Sequence, residues 1–252
     1  MKLLTLARDL QRRRARERDA LFVCEGVRAT EELLKSPLTV KGALVSPALA
    51  GAPRGAALRE RLDAARVPVL EVSDRDLERA AGPESPQGVL AVAEVPARSL
   101  ASLALPERAR LLVLDGIQDP GNVGALLRTA AALGVHATLA MPGTVDLWNG
   151  KVVRSAMGAL FHSAALACDW GALDAFLRDR AIPLWGADAQ GDALPGVQAP
   201  AALALAMGNE GAGLSAEAVA RVARRIAIPI AAEVESLNVA VAAGVLLYQL
   251  RP

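Results

Sequence analysis

Apolar positions recur along the chain with two periods, one suited to strands and one to helices, and their alternation predicts an α/β protein. Residues 21–24 are a short apolar run that reads as a strand, and 27–35 follow with helical spacing until Pro37 stops them. Residues 40–46 alternate and are β-rich, 54–66 carry their charges on one helical face, and 67–72 return to strand character. Ser73 can cap a helix running to Arg79, because its hydroxyl accepts a backbone N–H of the first turn, and 88–95 form a last strand. These elements make one small α/β unit over 1–95. The character then changes: Pro96 and Pro106 bracket small and polar residues, which places a linker over 96–109.

From 110 to 252 the strands are more hydrophobic. They are predicted at 111–115, 135–140, 163–168, 182–187, 201–207 and 226–230. Helices are predicted between and after them at 122–133, ended by Gly134, and at 151–160, 173–180, 216–224 and 237–250. Near-continuous apolar strands separated by helices imply a parallel sheet covered on both faces. There is no internal repeat and no low-complexity tract.

Composition sharpens this picture in a few places. The chain has 252 residues, 53% of them hydrophobic, which is enough to bury a large core; aromatic residues are only 3%, so Ala, Val and Leu must supply its volume. The net charge of +1 hides a gradient. Lys2, Arg8, Arg12, Arg13, Arg14, Arg16 and Arg18 crowd the N-terminus against Asp9 and Glu17, which reads either as a solvated helix face or as a phosphate-contacting surface. Cys24 and Cys168 are far apart in apolar runs, as buried thiols in a reducing compartment would be, and the two histidines, His136 and His162, are isolated, so no metal site is expected. The N-terminus lacks the pattern of a signal peptide, and the most apolar run, 239–247, is too short to cross a bilayer. A soluble, cytoplasmic protein is expected.

Parallel sheets bind ligands at the carboxyl ends of their strands. Three strands of the second part run into polar, glycine-rich turns, at 115–124, 207–215 and 228–239. Glycine lets backbone approach a ligand closely, and each turn also carries charged or amide side chains: Asn122 with Arg128 beyond it, then Glu210, then Ser236 and Asn238. Each has a purely structural explanation as well. Asn122 and Ser236 can cap helices, Asn238 can bond to backbone, Glu210 can be an exposed loop carboxylate, and Arg128 a surface residue or half of a buried ion pair. Three such turns after three strands of one sheet favour a shared site. No G-x-G-x-x-G follows a strand, there is no G-x-x-x-x-G-K-[ST], and no G-x-S-x-G elbow occurs, which removes the common dinucleotide, P-loop and serine-hydrolase readings.

The run Asn-Val-Gly-Ala-Leu-Leu-Arg at 122–128 resembles the first motif of the SpoU/TrmH family in the SPOUT class of RNA methyltransferases. Gly-Asn-Glu-Gly-Ala-Gly-Leu at 208–214 resembles the second motif, and 229–239, ending Ser-Leu-Asn-Val, the third. In the first domain, 22–28 and 86–90 resemble the RNA-binding domain of the ribosomal-RNA branch. The resemblance implies a C-terminal domain with a deep trefoil knot, a homodimer with the site near the subunit interface, and S-adenosylmethionine as cofactor. The apolar circumference of the last helix fits an interface.

It further implies that the cofactor rests against Met207, Gly208, Ile228, Pro229 and Leu237, and that methyl transfer goes to a ribose 2′-hydroxyl of structured RNA, most simply ribosomal RNA. Arg128 would orient the ribose and stabilise developing negative charge, because a guanidinium stays protonated near neutrality, while Asn122, Glu210, Ser236 and Asn238 hold the groups in place. The segment 154–158 resembles one near the substrate, although a helix packed on the sheet explains it equally well. The chain departs from the family at Ala232, where many members have glycine and a methyl would narrow the cofactor pocket. Transfer-RNA ribose methylation and a catalytically silent RNA-binding factor are the alternatives, and the intact set Asn122, Arg128, Glu210, Ser236 and Asn238 weighs against the second.

Overall fold

Elements follow one another along the chain as α1 (Lys2–Asp9), α2 (Arg13–Asp19), β1 (Leu21–Glu25), α3 (Val27–Lys35), β2 (Val40–Val45), α4 (Ala48–Gly51), α5 (Gly55–Ala64), β3 (Val69–Glu71), α6 (Asp74–Ala80) and β4 (Val89–Glu94). After them come β5 (Arg110–Leu114), α7 (Pro120–Ala132), β6 (Ala137–Ala140), α8 (Gly150–Ser155), α9 (Ala159–His162), β7 (Ala164–Ala167) and α10 (Trp170–Asp179). The chain ends with β8 (Leu184–Ala193), β9 (Leu203–Met207), α11 (Ala216–Val219), β10 (Arg224–Ala227) and α12 (Val239–Gln249). This computed structural model describes residues 2–81, 87–194 and 196–251. Its contacts define two units: Met1–Ala97 with Trp148–His162, and Arg98–Leu147 with Ser163–Pro252.

The first unit holds a four-stranded sheet in the order β1-β4-β2-β3, with β4 antiparallel to both neighbours and β2 parallel to β3. Alternation sends Val23, Leu44, Leu90 and Val92 to one face, where they pack with Ala7, Leu10 and Leu77 from α1, its following turn and α6. On the other face Phe22 meets Trp148 and Phe161, at ring-centroid distances of 4.5 and 5.8 Å. Trp148 lies just before α8 and Phe161 within α9, and Arg154 of α8 reaches Glu25 of β1 at 3.2 Å. The segment 148–162 therefore completes the core of the first unit, whereas the sequence reading ran the second domain unbroken from 110. The linker reading also changes, since Leu100, Leu103 and Leu105 pack on the core of the second unit.

The N-terminal arginines are mostly engaged. Arg16 is buried, and its guanidinium donates to the carbonyls of Leu10 and Gln11 at 2.7 and 2.9 Å, so it holds the turn between α1 and α2 instead of facing solvent. Arg8 pairs with Asp76 at 2.9 Å, Arg13 with Glu17 at 2.7 Å, Arg18 with Asp19 at 2.7 Å, and Arg12 with Asp9.

The second unit is a six-stranded, all-parallel sheet in the order β10-β8-β9-β5-β6-β7. Leu111, Val113, Leu139, Ala204 and Ala206 form one core face with Leu173, Phe176 and Leu177 of α10. Leu112 and Leu114 point to the opposite side by alternation, and α7 packs against α12. Arg110 opens β5 and is buried, with no carboxylate partner among the described residues. Its guanidinium donates to the carbonyls of Leu250 (2.6 Å), Ala201 (2.5 Å), Pro200 (3.1 Å) and Ala109 (3.1 Å), which ties the end of α12 to the amino-terminal end of the central strand β5.

Several boundaries moved for identifiable reasons. The helix expected over 151–160 is two short helices, broken where Met157 and Gly158 adopt φ values of 49° and 89°. A side chain at 158 would also meet Glu32 at 2.7 Å. The helix expected over 216–224 ends at Val219, since the Ala223 N–H donates to Leu184 and draws the chain into the sheet. The strand expected over 226–230 stops at Ala227, before Pro229, which has no N–H to pair. Asn122 does not cap α7: Asp119 does, accepting from the Asn122 N–H, with Pro120 in the first helical position. In the 86–90 segment, Pro86 lies outside the described residues, and Val89 and Leu90 begin β4.

Candidate active site

Hydrogen bonds draw the three polar turns together at the carboxyl ends of β5, β9 and β10. Asp115, buried at the end of β5, accepts the Ser215 N–H at 2.6 Å. Asn209 donates to the Gly116 carbonyl at 2.9 Å and accepts from the N–H groups of Gly211 and Ala212, both at 3.0 Å. Its backbone pairs with that of Gly213 at 2.8 and 2.9 Å, which closes the second turn into a small ring. Gly208 lies so near this ring that a Cβ would sit 2.3 Å from the Gly213 carbonyl carbon and 2.4 Å from the Leu214 nitrogen. Only a residue without a side chain fits there.

Three of the five catalytic candidates form a directional chain. Asn238 caps α12, its Oδ1 accepting from Ala240 and Val241 at 3.0 and 3.3 Å. That fixes its amide so that Nδ2 donates to Asn122 Oδ1 at 2.9 Å, and Asn122 Nδ2 in turn donates to Glu210 Oε1 at 2.8 Å. All three expected residues are thus linked across 116 positions of sequence, ending on a carboxylate. Asn238, and not Ser236, caps α12; it bonds to backbone as its structural explanation had it and still takes part in the chain. We expect Asn122→Asp to break the relay by removing the donor and placing a second carboxylate beside Glu210. The activity of the site should fall about tenfold, matching roughly 1–2 kcal/mol for a charge-assisted bond replaced by repulsion, with turnover under saturating conditions as the measurement.

A cavity of about 520 Å³ opens beside this chain, within the usual range for small-ligand sites. Its walls are residues 187–190 of β8, 207–214, 226–228 with Ile230, 235–237, and Val219, Val239, Ala242 and Leu246. Met207, Gly208, Ile228 and Leu237 line it as expected of cofactor contacts, as do Glu210 and Ser236; Pro229 does not. Asn122 and Asn238 reach it only through Glu210. Arg128 is exposed on α7, between buried Leu127 and half-buried Thr129, and is not part of the wall. Ala232 is exposed and outside the wall too, so its methyl does not narrow the cavity.

Two contributors were missed. Asn209, which locks the second turn, was passed over beside Glu210. The wall at 187–190 arises because β8 leaves its register with β10: Gly186 pairs with Arg225 and Asp192 with Ile226, so the five residues between them bulge over adjacent partners. Gly186 and Gly191 flank the bulge, and glycine inside a strand is a sequence signal for such an excursion. Burial pushes the Cys24 thiol up to about 12 and that of Cys168 to about 11, so neither is a thiolate nucleophile at neutral pH. Among the described residues no group of three or more His, Cys, Asp or Glu is placed to hold a metal ion.

Known proteins resemble this chain along most of its length. Residues 109–248 match the SpoU rRNA Methylase family, and residues 5–91 match the MRM3-like substrate binding domain. The 23S rRNA (guanosine(2553)-2′-O)-methyltransferase RlmP of Bacillus subtilis (strain 168) is 33% identical over 254 residues, covering 97% of this chain and 94% of the relative. The 23S rRNA (guanosine-2′-O-)-methyltransferase RlmB of Bordetella pertussis is 40% identical over 172 residues, 65% of this chain and 69% of the relative. Among solved structures, the SpoU methyltransferase AviRb from Streptomyces viridochromogenes in complex with AdoMet superposes with a TM-score of 0.88 at 28% identity, covering 98% of this chain and 95% of that one. The protein is thus an α/β methyltransferase. It belongs to the SpoU rRNA methylase family.

Proposed function

We propose that this protein transfers a methyl group from S-adenosylmethionine to a ribose 2′-hydroxyl of ribosomal RNA, with the cofactor held in the 520 Å³ cavity. The observation that carries this reading is the convergence of the 115–124, 207–215 and 228–239 turns on one cavity edge through the Asn238–Asn122–Glu210 chain. The cavity suits the cofactor chemically. Leu214, Ile226, Ile228, Leu237 and Leu246 offer an apolar wall for a purine, the closed ring at Gly208 brings backbone donors and acceptors close, and the charged groups lining it are carboxylates. Bound there, S-adenosylmethionine supplies an electrophilic methyl carbon on a cationic sulfur. Glu210, Ser236 and the amide chain hold the turns in register, and the Arg128 guanidinium stabilises the ribose oxygen as it loses its proton.

The apolar stripe on α12 supports a homodimer. Val241, Val245 and Tyr248 lie on one helical face and are 54%, 42% and 54% exposed. Because α7 packs against α12, the dimer would place Arg128 near the interface. The reading also carries the trefoil knot that the resemblance to the SpoU family implies. No helix among the described residues is long and apolar enough to cross a membrane, in keeping with a cytoplasmic enzyme.

The likeness to RlmP and RlmB supports ribosomal RNA over transfer RNA as substrate. The direct test is incubation with labelled S-adenosylmethionine and purified ribosomal and transfer RNA side by side, with ribose methylation mapped. Transfer to ribosomal RNA at a 2′-oxygen is expected; transfer to transfer RNA alone, or to a base, would overturn the proposal. The first unit should bring the RNA in. Arg12 and Arg13 are held by exposed ion pairs that contribute little, so phosphates can displace their partners, whereas buried Arg16 cannot take part. Replacing Arg12, Arg13 and Arg14 with glutamine should lower the slope of log affinity against log salt by about 2–3, close to one per phosphate contact. An unchanged slope would return these arginines to the role of a solvated helix face.

A further inference from the structure

The charged residues lining the cavity are Asp188, Glu210 and Glu235, and no lysine, arginine or histidine joins them. Asp188 is neutralised by Arg225 at 3.0 Å, outside the wall. Among the described residues Glu210 accepts from the neutral Asn122 amide, and neither it nor Glu235, on the exposed approach to α12, is paired with a cation. Within one subunit the cavity wall therefore carries two negative charges that no described cation pairs with, and Arg128, which acts on the ribose, lies outside that wall. From this we propose that Glu235, together with Glu210, makes the pocket select the charged form of its cofactor, so that the charge lost in the reaction releases the product.

The inference rests on the reading that this cavity holds S-adenosylmethionine. During transfer the sulfur–methyl bond breaks with its electron pair remaining on sulfur. A bond forms from the ribose oxygen to the methyl carbon, and the hydroxyl proton leaves to solvent. The sulfonium becomes a neutral thioether, and the ligand, which carries an ammonium and a carboxylate in both forms, falls from one net positive charge to none. Attraction to Glu210 and Glu235 is then lost with the chemistry, while shape and purine contacts are unchanged. Glu235 is a specificity-determining residue on this account, and sequence reasoning missed it because it sits beside the more conspicuous Ser236.

Calorimetric binding of three ligands tests it: S-adenosylmethionine, sinefungin, whose protonated amine stands where the sulfonium would be, and neutral-sulfur S-adenosylhomocysteine. The parent protein should bind the two cationic ligands more tightly, with a margin that shrinks as sodium chloride rises. Glu235→Gln should weaken both cationic ligands roughly three- to tenfold, as expected for one partly exposed charge pair, and leave S-adenosylhomocysteine within about twofold. Equal losses on all three ligands would mean a purely structural role, and no loss on any would mean no role; either overturns the proposal. If the glutamine variant fails to fold, the salt series on the parent decides, because a preference that does not change with salt is not electrostatic. Should Gly208→Ala leave all three affinities intact, the failure falls on the placement of the cofactor, not on charge selection.

Discussion

Gly208→Ala should bind S-adenosylmethionine roughly a hundredfold more weakly than the parent, or about 2.7 kcal/mol, while keeping its secondary structure. The added methyl would stand 2.3–2.4 Å from the backbone of Gly213 and Leu214, far inside contact distance. Neither neighbour is a flexible side-chain end. The ring that Asn209 closes through Gly213 must open or shift, and overpacking of this kind costs about 1–3 kcal/mol in stability. Shifting the ring also moves Asn209 away from the Gly116 carbonyl, which loosens the contact between the first and second turns. Calorimetry for the cofactor and thermal unfolding for the fold separate the two consequences. Unaltered affinity would show that the cofactor does not use this wall.

Arg128→Ala should lose about a hundred- to a thousandfold in turnover, with cofactor affinity unchanged. The side chain is exposed, so its removal disturbs the core of α7 little, where Leu126 and Leu127 are fully buried. It does not line the cavity, so binding of the cofactor should not depend on it. On the proposed mechanism its contribution falls on the reacting oxygen, where a guanidinium stabilises negative charge without itself giving up a proton. Arg128→Lys should recover part of the loss, since it keeps the charge but not the planar fork. Near-normal turnover of the alanine variant on the matched RNA would remove Arg128 from the mechanism.

The repeating strands and helices were legible because buried parallel strands leave unbroken apolar runs: β5, β6 and β9 are buried at every position. Ser73 was legible as a cap for the same reason that Asp119 was overlooked, since both act through a single local bond, but Asn122 competed for attention at the second site. What local pattern could not convey is partnership at a distance. Nothing in the 148–162 run announces that Trp148 and Phe161 will pack on Phe22. Nor does the composition of the N-terminus say that Arg16 will turn inward to backbone carbonyls while Arg13 stays outside. At the candidate site, residue types and order pointed to Asn122, Arg128, Glu210, Ser236 and Asn238; the structure joins Asn122, Glu210 and Asn238 and puts Ser236 in the cavity wall, while Arg128 stands outside it. Pro229 and Ala232 were placed by resemblance, and neither lines the cavity. The bulge at 187–190 was hidden inside an apparently regular strand, because a register break depends on the partner strand as much as on its own residues.

The placement of the cofactor is tested most directly by a crystal structure of the protein with S-adenosylmethionine and an oligonucleotide bearing the unmethylated target ribose. The adenosine should lie between the 208–214 ring and the 187–190 bulge, with the sulfonium toward Glu210 and Glu235 and the ribose oxygen in line with the methyl carbon. Cofactor bound at any other surface, or a ribose turned away from the sulfonium, would contradict the account.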